Sequence, residues 1–451
     1  MTGRKLYWID LVLVAALALS ALVADGCDVE EVGGGRAATP DARALPGQMQ
    51  GVTDTEIRIG SLLPLTGPAA PWGIPLAQGM QAYYDYINGQ GGMYGRKIRL
   101  FVEDSQYSAP VASEAVRRLV EEDKVFALQA NLGTEVESAV YKYLEERGIP
   151  DMYTIAPNKE FTEPVARTRF VLMPTYSMEG RMLARHVYET CSGQKLGMLV
   201  QNTDDAREWE EGLKEGLEEL NADVDVTTEY FDATQSDVTA QVQRLKAAGV
   251  AAIAFVGQPV AAAAMLNTAR QLLSWDVPIV LNSGNASAVA QLAGYDNIEG
   301  AVSALFYHGA WETQIPGIAE DKRLMAEVAP DVPFEEMTLN GWMTSLAVVA
   351  VFRQAGPDLT RESFLDAAES SCKGYGPTTL APWSTSPTDH RASEASVIAR
   401  AVVDRSTDPP TLRWEPFGDV IDFESTKDCV VPTPPPGAED QPGPSIQDQK
   451  E

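Results

Sequence analysis

The sequence predicts an α/β fold made of two doubly wound, Rossmann-like lobes. Short apolar, β-rich segments alternate with longer segments of helical periodicity, and this alternation fills two successive stretches of the 451-residue chain. Strands that alternate with helices of about 10–15 residues form parallel sheets with helices on both faces. Hydrophobic residues make up 45% of the sequence, which is enough for real cores. Ligands of such sheets bind beyond the carboxyl ends of the strands, so we expect a cleft where two sets of loops face each other.

The first stretch contains the predicted strands and helices of one sheet. Residues 56–63 alternate in polarity and are β-rich, as is typical of a strand. Residues 110–122 place Val111, Ala115 and Leu119 on one side of a helix. On the same criteria we predict further strands at 97–102, 125–128 and 152–155, and further helices at 77–87 and 134–147.

The second stretch repeats the pattern. We predict its strands at 196–201, 224–230, 251–256 and 278–282, and its helices at 206–220, 238–248 and 260–273. The acidic residues of the helix 206–220 are most simply its solvated face: Glu208, Glu210, Glu211, Glu215, Glu218 and Glu219.

Charge and composition exclude several classes of function. The sequence holds 64 acidic and 35 basic residues, with a formal net charge of −29. This argues against an extended phosphate-binding surface and against docking on anionic lipid. The three histidines and four cysteines form no cluster with zinc-ligand spacing. The glycines of 89–95 run from helix to strand, which is the wrong order for dinucleotide binding. We therefore predict no cofactor, no metal site and no enzyme activity.

The N-terminus predicts an export signal at residues 1–26. Arg4 and Lys5 precede an apolar run at 11–24, which is shorter than the about 20 residues that span a membrane. Gly26-Cys27 resembles a bacterial lipoprotein cleavage site, so we predict lipidation of Cys27, with simple secretion as the alternative. Residues 27–50 are expected to be a flexible tether, and the Pro-rich residues 431–451 a disordered tail.

Several short motifs occur in an order that points to a known family. They include Gly51-Val-Thr-Asp-Thr-Glu-Ile-Arg-Ile-Gly60, Pro64-Leu-Thr-Gly-Pro68, Gly91-Gly-Met-Tyr-Gly-Arg-Lys97, Asn131-Leu-Gly-Thr134 and Glu179-Gly180. This order resembles the solute-binding proteins of branched-chain amino-acid-type ABC importers, the type I periplasmic binding proteins that include the Leu/Ile/Val-binding proteins. The resemblance covers about residues 51–415.

The resemblance implies two lobes joined by three crossovers, closing like a hinge around a small ligand. Lobe 1 would hold 51–172 and 304–392, and lobe 2 would hold 173–303 and 393–430. The apolar helical segment 337–354 would then belong with the first lobe although it follows the second stretch.

The same resemblance implies an extracytoplasmic, lipid-anchored and monomeric receptor of an ABC importer. It would carry a small polar solute, such as an amino acid, an amide or a small carboxylate, to the permease subunits. A ligand-sensing receptor of the same fold that acts on a signalling or regulatory partner is the alternative.

In lobe 1 the resemblance points to residues on strand-end loops. Thr134 would use its hydroxyl and the helix N-terminus to take a ligand carboxylate, or would simply cap the helix. Trp72 would line the cleft or pack in the core, and Tyr176 would face the ligand or the hinge. The full lobe 1 and crossover set is Trp72, Leu132, Gly133, Thr134, Ala156, Asn158 and Tyr176.

In lobe 2 the resemblance points to Asp205, Gln258 and Ser283. Ser283 stands where amino-acid binders place the carboxylate that pairs with the ligand ammonium, and a serine cannot form that charge-assisted bond. Either Asp205 supplies the negative partner or the ligand lacks an ammonium group. Asp205 could equally cap the helix that follows.

One disulfide is expected if Cys27 is lipidated. Cys191, Cys372 and Cys429 then allow three pairings. The lobe assignment places Cys191 and Cys429 in lobe 2, which favours that pair and would fasten the C-terminal segment before the tail.

Overall fold

A computed structural model describes residues 49–422 except 68, 287, 371–378, 382 and 408–409. The predicted signal, Cys27, most of the tether, Cys372, Cys429 and the tail at 431–451 lie outside the described residues. Gln50, at the end of the predicted tether, donates from Nε2 to the Val120 carbonyl at 2.9 Å. Gln50 is thus hydrogen-bonded to a residue of lobe 1, although the predicted tether includes it.

The first sheet contains five parallel strands. They are β1 (Glu56–Leu63), β2 (Lys97–Asp104), β3 (Ala127–Gln129), β4 (Asp151–Thr154) and β5 (Arg169–Val171), in the order β2-β1-β3-β4-β5. The helices among these strands are α1 (Ala70–Gly89), α2 (Ala109–Arg117), α3 (Thr134–Glu146) and α4 (Lys159–Thr162). Because the strands are parallel, the loops after them gather at one edge of the sheet.

The second sheet combines parallel and antiparallel pairing. Its parallel part has β6 (Gln194–Gln201), β7 (Val224–Phe231), β8 (Ala252–Val256), β9 (Ile279–Leu281) and β10 (Val302–Leu305). The late strands β11 (Ala395–Asp404), β12 (Thr411–Pro416) and β13 (Ile421–Asp422) join it antiparallel. Its helices are α5 (Tyr176–Cys191), α6 (Asp204–Glu219), α7 (Thr239–Ala247), α8 (Pro259–Asn267), α9 (Ala288–Ala293) and α10 (Tyr295–Ile298).

Three late helices return to the first sheet: α11 (Pro316–Val328), α12 (Glu336–Ala355) and α13 (Arg361–Glu369). Trp342 of α12 packs edge-on against Tyr83 of α1, with ring centroids 4.9 Å apart. Helices α1 and α12 approach closely at Gly79 and Gly341, where an added Cβ would lie about 2 Å from a carbonyl oxygen of the facing helix. The helix predicted at 337–354 therefore packs with lobe 1.

Three crossovers join the lobes within the described residues, after β5, after β10 and before β11. The first and third lie side by side, since the Ala392 N–H donates to the Val171 carbonyl at 2.8 Å and the Ser393 N–H to the Leu172 carbonyl at 3.1 Å. All of β10 belongs to the second sheet, so the chain leaves lobe 2 after Leu305 and not at the predicted boundary of 303.

Other differences from the predicted elements have local causes. Helix α1 begins seven residues earlier than 77, because Pro71 occupies the first turn, where its missing N–H is not needed. The helices predicted at 110–122 and 260–273 each end in a π-helical turn, at Arg118–Glu122 and Thr268–Leu272. No helix of the described residues is both long and apolar enough to cross a membrane.

Candidate functional site

A cavity lies between the lobes, at the carboxyl ends of strands from both sheets. It encloses about 1120 Å³ of space, its opening to solvent included. Lobe 1 contributes the loops after β2, β3 and β4, and lobe 2 contributes those after β6, β8 and β9. The wall also includes Met173 of the first crossover, Tyr176 at the start of α5, and residues 304–307 at the end of β10 and just after it. The position follows from the parallel topology, which brings these loops to facing edges.

The structure brings eight of the ten predicted ligand-binding residues to this one cavity: Trp72, Leu132, Gly133, Thr134, Tyr176, Asp205, Gln258 and Ser283. The other two lie behind the wall. Ala156 is fully buried and packs with Phe161 and Val171 in the core of lobe 1. Asn158 is 4% exposed and contacts Thr134 from behind. That the eight residues bind a ligand stays a prediction.

Thr134 does not cap its helix. The capping position of α3 is Gly133, with φ 111°, and no side chain bonds the first turn from that position. The Thr134 hydroxyl instead donates to Oδ1 of Asn158 at 2.8 Å, and the Tyr176 hydroxyl lies 3.4 Å from the same Thr134 oxygen. The capping interpretation is therefore wrong, and Thr134 belongs to a polar chain behind the cavity wall.

Glu208 carries this polar chain from lobe 1 into lobe 2. Its Oε2 accepts from Nδ2 of Asn158 at 3.2 Å and from the Lys159 N–H at 2.9 Å, and its Oε1 accepts from the Ser177 N–H at 3.3 Å. Burial raises the pKa of Glu208, and the backbone N–H of Lys159 opposes that rise. Glu208 thus bonds α6 to the other lobe beside the first crossover.

The prediction of a solvated acidic face on α6 is wrong for two of its residues. Glu208 is half-buried in the contact just described, and Glu210 is 3% exposed. Glu210 pairs with Lys214 at 2.6 Å and accepts from the Tyr230 hydroxyl at 3.0 Å. The acidic residues of α6 therefore differ in role: some face solvent, whereas Glu208 and Glu210 make specific contacts with the rest of the protein.

Asp205 lies in the first turn of α6, one residue after the helix begins. The capping position is Thr203, so Asp205 is not the cap. Burial raises the pKa of the Asp205 carboxyl, and the backbone N–H groups of Asp205 and Ala206 oppose that rise. Its carboxylate is thus supported by the helix start while the residue lines the cavity.

Glu135 lines the cavity from the first turn of α3. Burial raises the pKa of its carboxyl, and the nearby charge of Asp205 raises it further. The two carboxyls carry like charge and belong to different lobes, so they repel each other across the cleft.

Ser283 is held by Glu179, a residue whose part in the site the sequence did not reveal. The Ser283 N–H donates to Oε1 of Glu179 at 2.6 Å, and the Ser283 hydroxyl donates to Oε2 at 3.0 Å. Glu179 is 2% exposed on α5. Burial raises the pKa of its carboxyl to about 7 against the two bonds from Ser283. The motif Glu179-Gly180 was a signal, but nothing local connected it to residue 283.

Tyr107 lines the cavity, although the sequence did not single it out. Its ring lies over Gly133, where an added Cβ would be 2.5 Å from Cε2 of Tyr107. The Trp72 ring is its neighbour, with centroids 6.4 Å apart. Tyr107 follows β2, so its place after a predicted strand was a usable signal.

The predicted disulfide involves Cys191, which lies away from the cavity. Cys191 is buried in the core of lobe 2, where burial raises the pKa of its thiol to about 11. Its predicted partner Cys429 lies outside the described residues, so the pairing stays a prediction. Within the ranges that the structure describes, no three His, Cys, Asp or Glu side chains are grouped to hold a metal ion.

Residues 56–407 match the profile of the family described as periplasmic binding protein. The chain belongs to the periplasmic binding protein family. This confirms the predicted family and, with the solved structures below, the predicted type I periplasmic binding protein fold.

Relatives of this periplasmic binding protein are distant in sequence. Leu/Ile/Val-binding protein homolog 1 of Brucella abortus (strain 2308) is 22% identical over 251 residues, which are 55% of this chain and 66% of that relative. The match thus spans slightly under two thirds of the relative's length.

Two solved structures share the fold. A fatty acid ABC transporter substrate-binding protein from Thermomonospora curvata has a TM-score of 0.73 and 24% identity, covering 85% of this chain and 97% of that one. A branched chain amino acid ABC transporter from Thermus thermophilus with bound valine has a TM-score of 0.71 and 19% identity, covering 82% of this chain and 97% of that one.

Proposed function

We propose that this protein is an extracytoplasmic receptor of an ABC importer, which captures a small polar solute between its lobes and delivers it to a membrane permease. The observation that carries the proposal is the cavity itself, whose wall is shared by strand-end loops of both lobes. A solute that contacts both walls stabilises the closed arrangement, because its contacts with both lobes exist only when they are together. The names of the relatives support a transport role.

The receptor carries out no reaction under this proposal. Binding alone is needed, and the eight wall residues predicted from the sequence supply hydroxyl, carboxyl, amide and aromatic groups for it. Anchoring through Cys27 would keep the protein at the outer face of the membrane that holds its permease.

A thermal-shift screen of the purified mature protein tests the proposal. Amino acids, amides, amines and carboxylates are added singly. A binder stabilises the folded protein by mass action, by about 4 kcal/mol in the free energy of unfolding at 1,000 times its Kd, and thereby raises the unfolding temperature. We expect a binder whose concentration stays unchanged over hours. Chemical turnover of the binder, or the absence of any binder in all four classes, would contradict the proposal.

Matched glutamine variants place the binder in the cavity. Gln258→Ala changes a cavity residue, whereas Gln243→Ala changes an exposed residue on α7. We expect the first to weaken binding and the second to leave the shift unchanged. Equal shifts in the two variants would show that binding occurs elsewhere.

A further inference from the structure

The charged side chains of the cavity wall all have one sign. Glu135, Asp205 and Glu336 line it, and the described residues of the wall include no lysine, arginine or histidine. Glu135 and Asp205 come from different lobes, so a cation between them would be attracted to both walls. A free anion in the same place would be repelled by both.

The hydrogen bonds behind the wall point their protons away from the cavity. Glu208 accepts from two backbone N–H groups and from Nδ2 of Asn158, which turns Oδ1 of Asn158 toward Thr134. The Thr134 hydroxyl must then donate to Oδ1 of Asn158 at 2.8 Å. Its proton is thereby used, and the Thr134 hydroxyl can meet a further group only as an acceptor.

A second wall residue also offers an acceptor. Asn340 lines the cavity and is 1% exposed, and its Nδ2 donates to the Tyr307 hydroxyl at 3.2 Å. Its Oδ1 is buried and has no donor among the described residues. A buried amide oxygen without a donor is unfavourable, so a ligand N–H that reached it would be strongly favoured.

The helix end that would otherwise take an anion is covered. The first backbone N–H groups of α3 begin at Thr134, next to Gly133. The Tyr107 ring lies against Gly133, 2.5 Å from the position of an added Cβ. Replacing that phenol with a ligand carboxylate would require moving a half-buried aromatic side chain that also packs near Trp72.

Aromatic rings form a further part of the wall. Trp72, Tyr107, Tyr176, Phe306 and Tyr307 all line the cavity. Their faces attract ammonium groups, and their apolar surface suits a hydrocarbon body. Carboxylates, acceptors and rings therefore favour the same kind of ligand.

We propose that the ligand is a small organic amine, with a protonated primary ammonium group on an apolar body and no carboxylate. The ammonium lies between Asp205 and Glu135 and donates to the acceptors of the wall. The inference rests on the proposed function and names the class of its solute.

Calorimetric titration with matched probes tests the class of solute. The pairs are 3-methylbutylamine with 4-methylpentanoate and 2-phenylethylamine with 3-phenylpropanoate, and leucine and phenylalanine are the zwitterions. The protein is first unfolded, dialysed and refolded to remove any copurified ligand. We expect the better amine to bind at least about tenfold more tightly than its carboxylate and its zwitterion.

Two neighbouring aspartates supply the matched variants. Asp205→Asn should weaken amine binding by about tenfold or more, whereas Asp204→Asn, at an exposed position outside the wall, should leave it unchanged. Glu135→Gln is the second test, from the other lobe. Unfolding midpoints of each variant show whether it is folded before it is titrated.

The outcomes separate this inference from the proposed function. Tighter binding of a carboxylate or zwitterion, no binding of any amine, or equal affinity in the two aspartate variants would overturn the amine ligand. A carboxylate or amide that bound in the broad screen would still support the receptor. A screen without any binder would remove the receptor as well.

Discussion

At the scale of single residues, groups behind the cavity decide how its wall is arranged. Ser283 lines the cavity, and its N–H and its hydroxyl both donate hydrogen bonds to the Glu179 carboxyl. Thr134 lines the same cavity, and its hydroxyl donates a hydrogen bond to Oδ1 of Asn158. In both places a buried partner determines whether the hydroxyl of the wall residue can donate a further hydrogen bond or only accept one.

The pKa of Glu179 predicts a pH-dependent stability. The folded-state pKa of about 7 lies above the usual 4.5. Between these two pH values the folded protein keeps the Glu179 proton, whereas the unfolded chain has lost it. The stabilising contribution is complete below about pH 4.5 and is lost as the pH rises through 7, by roughly 3 kcal/mol. We expect Glu179→Gln to remove this loss, measured by urea unfolding between pH 4.5 and 8.

The control for this experiment is Glu211→Gln, an exposed position on α6. Its pH profile should follow that of the unchanged protein. A Glu179→Gln profile parallel to the control would show that Glu179 does not titrate in this range.

At the scale of secondary-structure elements, α6 connects the two lobes through one polar side chain. Its apolar residues Trp209, Leu213 and Leu217 pack in the core of lobe 2. Glu208 stands one position before Trp209 and turns toward α4 and the start of α5. One face of α6 therefore packs in the core of its own lobe, and another face makes hydrogen bonds beside the first crossover.

Loss of Glu208 should loosen this connection. Glu208→Ala leaves the N–H groups of Lys159 and Ser177 and the amide of Asn158 without their acceptor. We expect a loss of about 1–3 kcal/mol in the free energy of unfolding, together with weaker solute binding. Chemical denaturation and calorimetry measure the two effects. Glu211→Ala, exposed on the same helix, should change neither, and identical values for the two variants would show that the contact contributes nothing.

At the scale of the whole molecule, each lobe is built from separated parts of the chain. Helix α12 packs on α1 although about 250 residues separate them, and β11 joins the second sheet far from β10 in sequence. The chain therefore passes between the lobes in more than one place. Because the first and third crossovers lie side by side, we expect the relative motion of the lobes to be a hinge motion about them.

Solute binding should therefore close the molecule without changing its secondary structure. We expect small-angle scattering to give a smaller radius of gyration once the binder found in the screen is added, with an unchanged circular dichroism spectrum. The Gln258→Ala variant, at a concentration of binder that leaves it empty, should not become smaller. Binding without compaction would contradict a hinge closure.

The sequence alone located the edge of the sheets where the cavity lies. The loop 131–134 and the residues Asp205, Gln258 and Ser283 follow predicted strands, and parallel strands bring such loops together. It did not distinguish the wall from what lies behind it. Ala156 and Asn158 follow β4 as directly as Ile155 and Pro157 do, yet only the latter two reach the cavity. Which side chain faces the cavity depends on the local turn and on packing against β5.

What the sequence by itself determined is the order of strands and helices, the two-lobed class of fold and the family. These depend on periodicity and on motifs that are local in the chain, and local pattern fixes which face of an element is apolar. Only the tertiary structure decided that Glu208 and Glu210 leave the solvent, that Glu179 holds Ser283 and that Tyr107 covers the start of α3. Apart from the Glu210–Lys214 pair within α6, these contacts join residues that are distant in the chain, and the direction of a hydrogen bond is set only when both partners are in place.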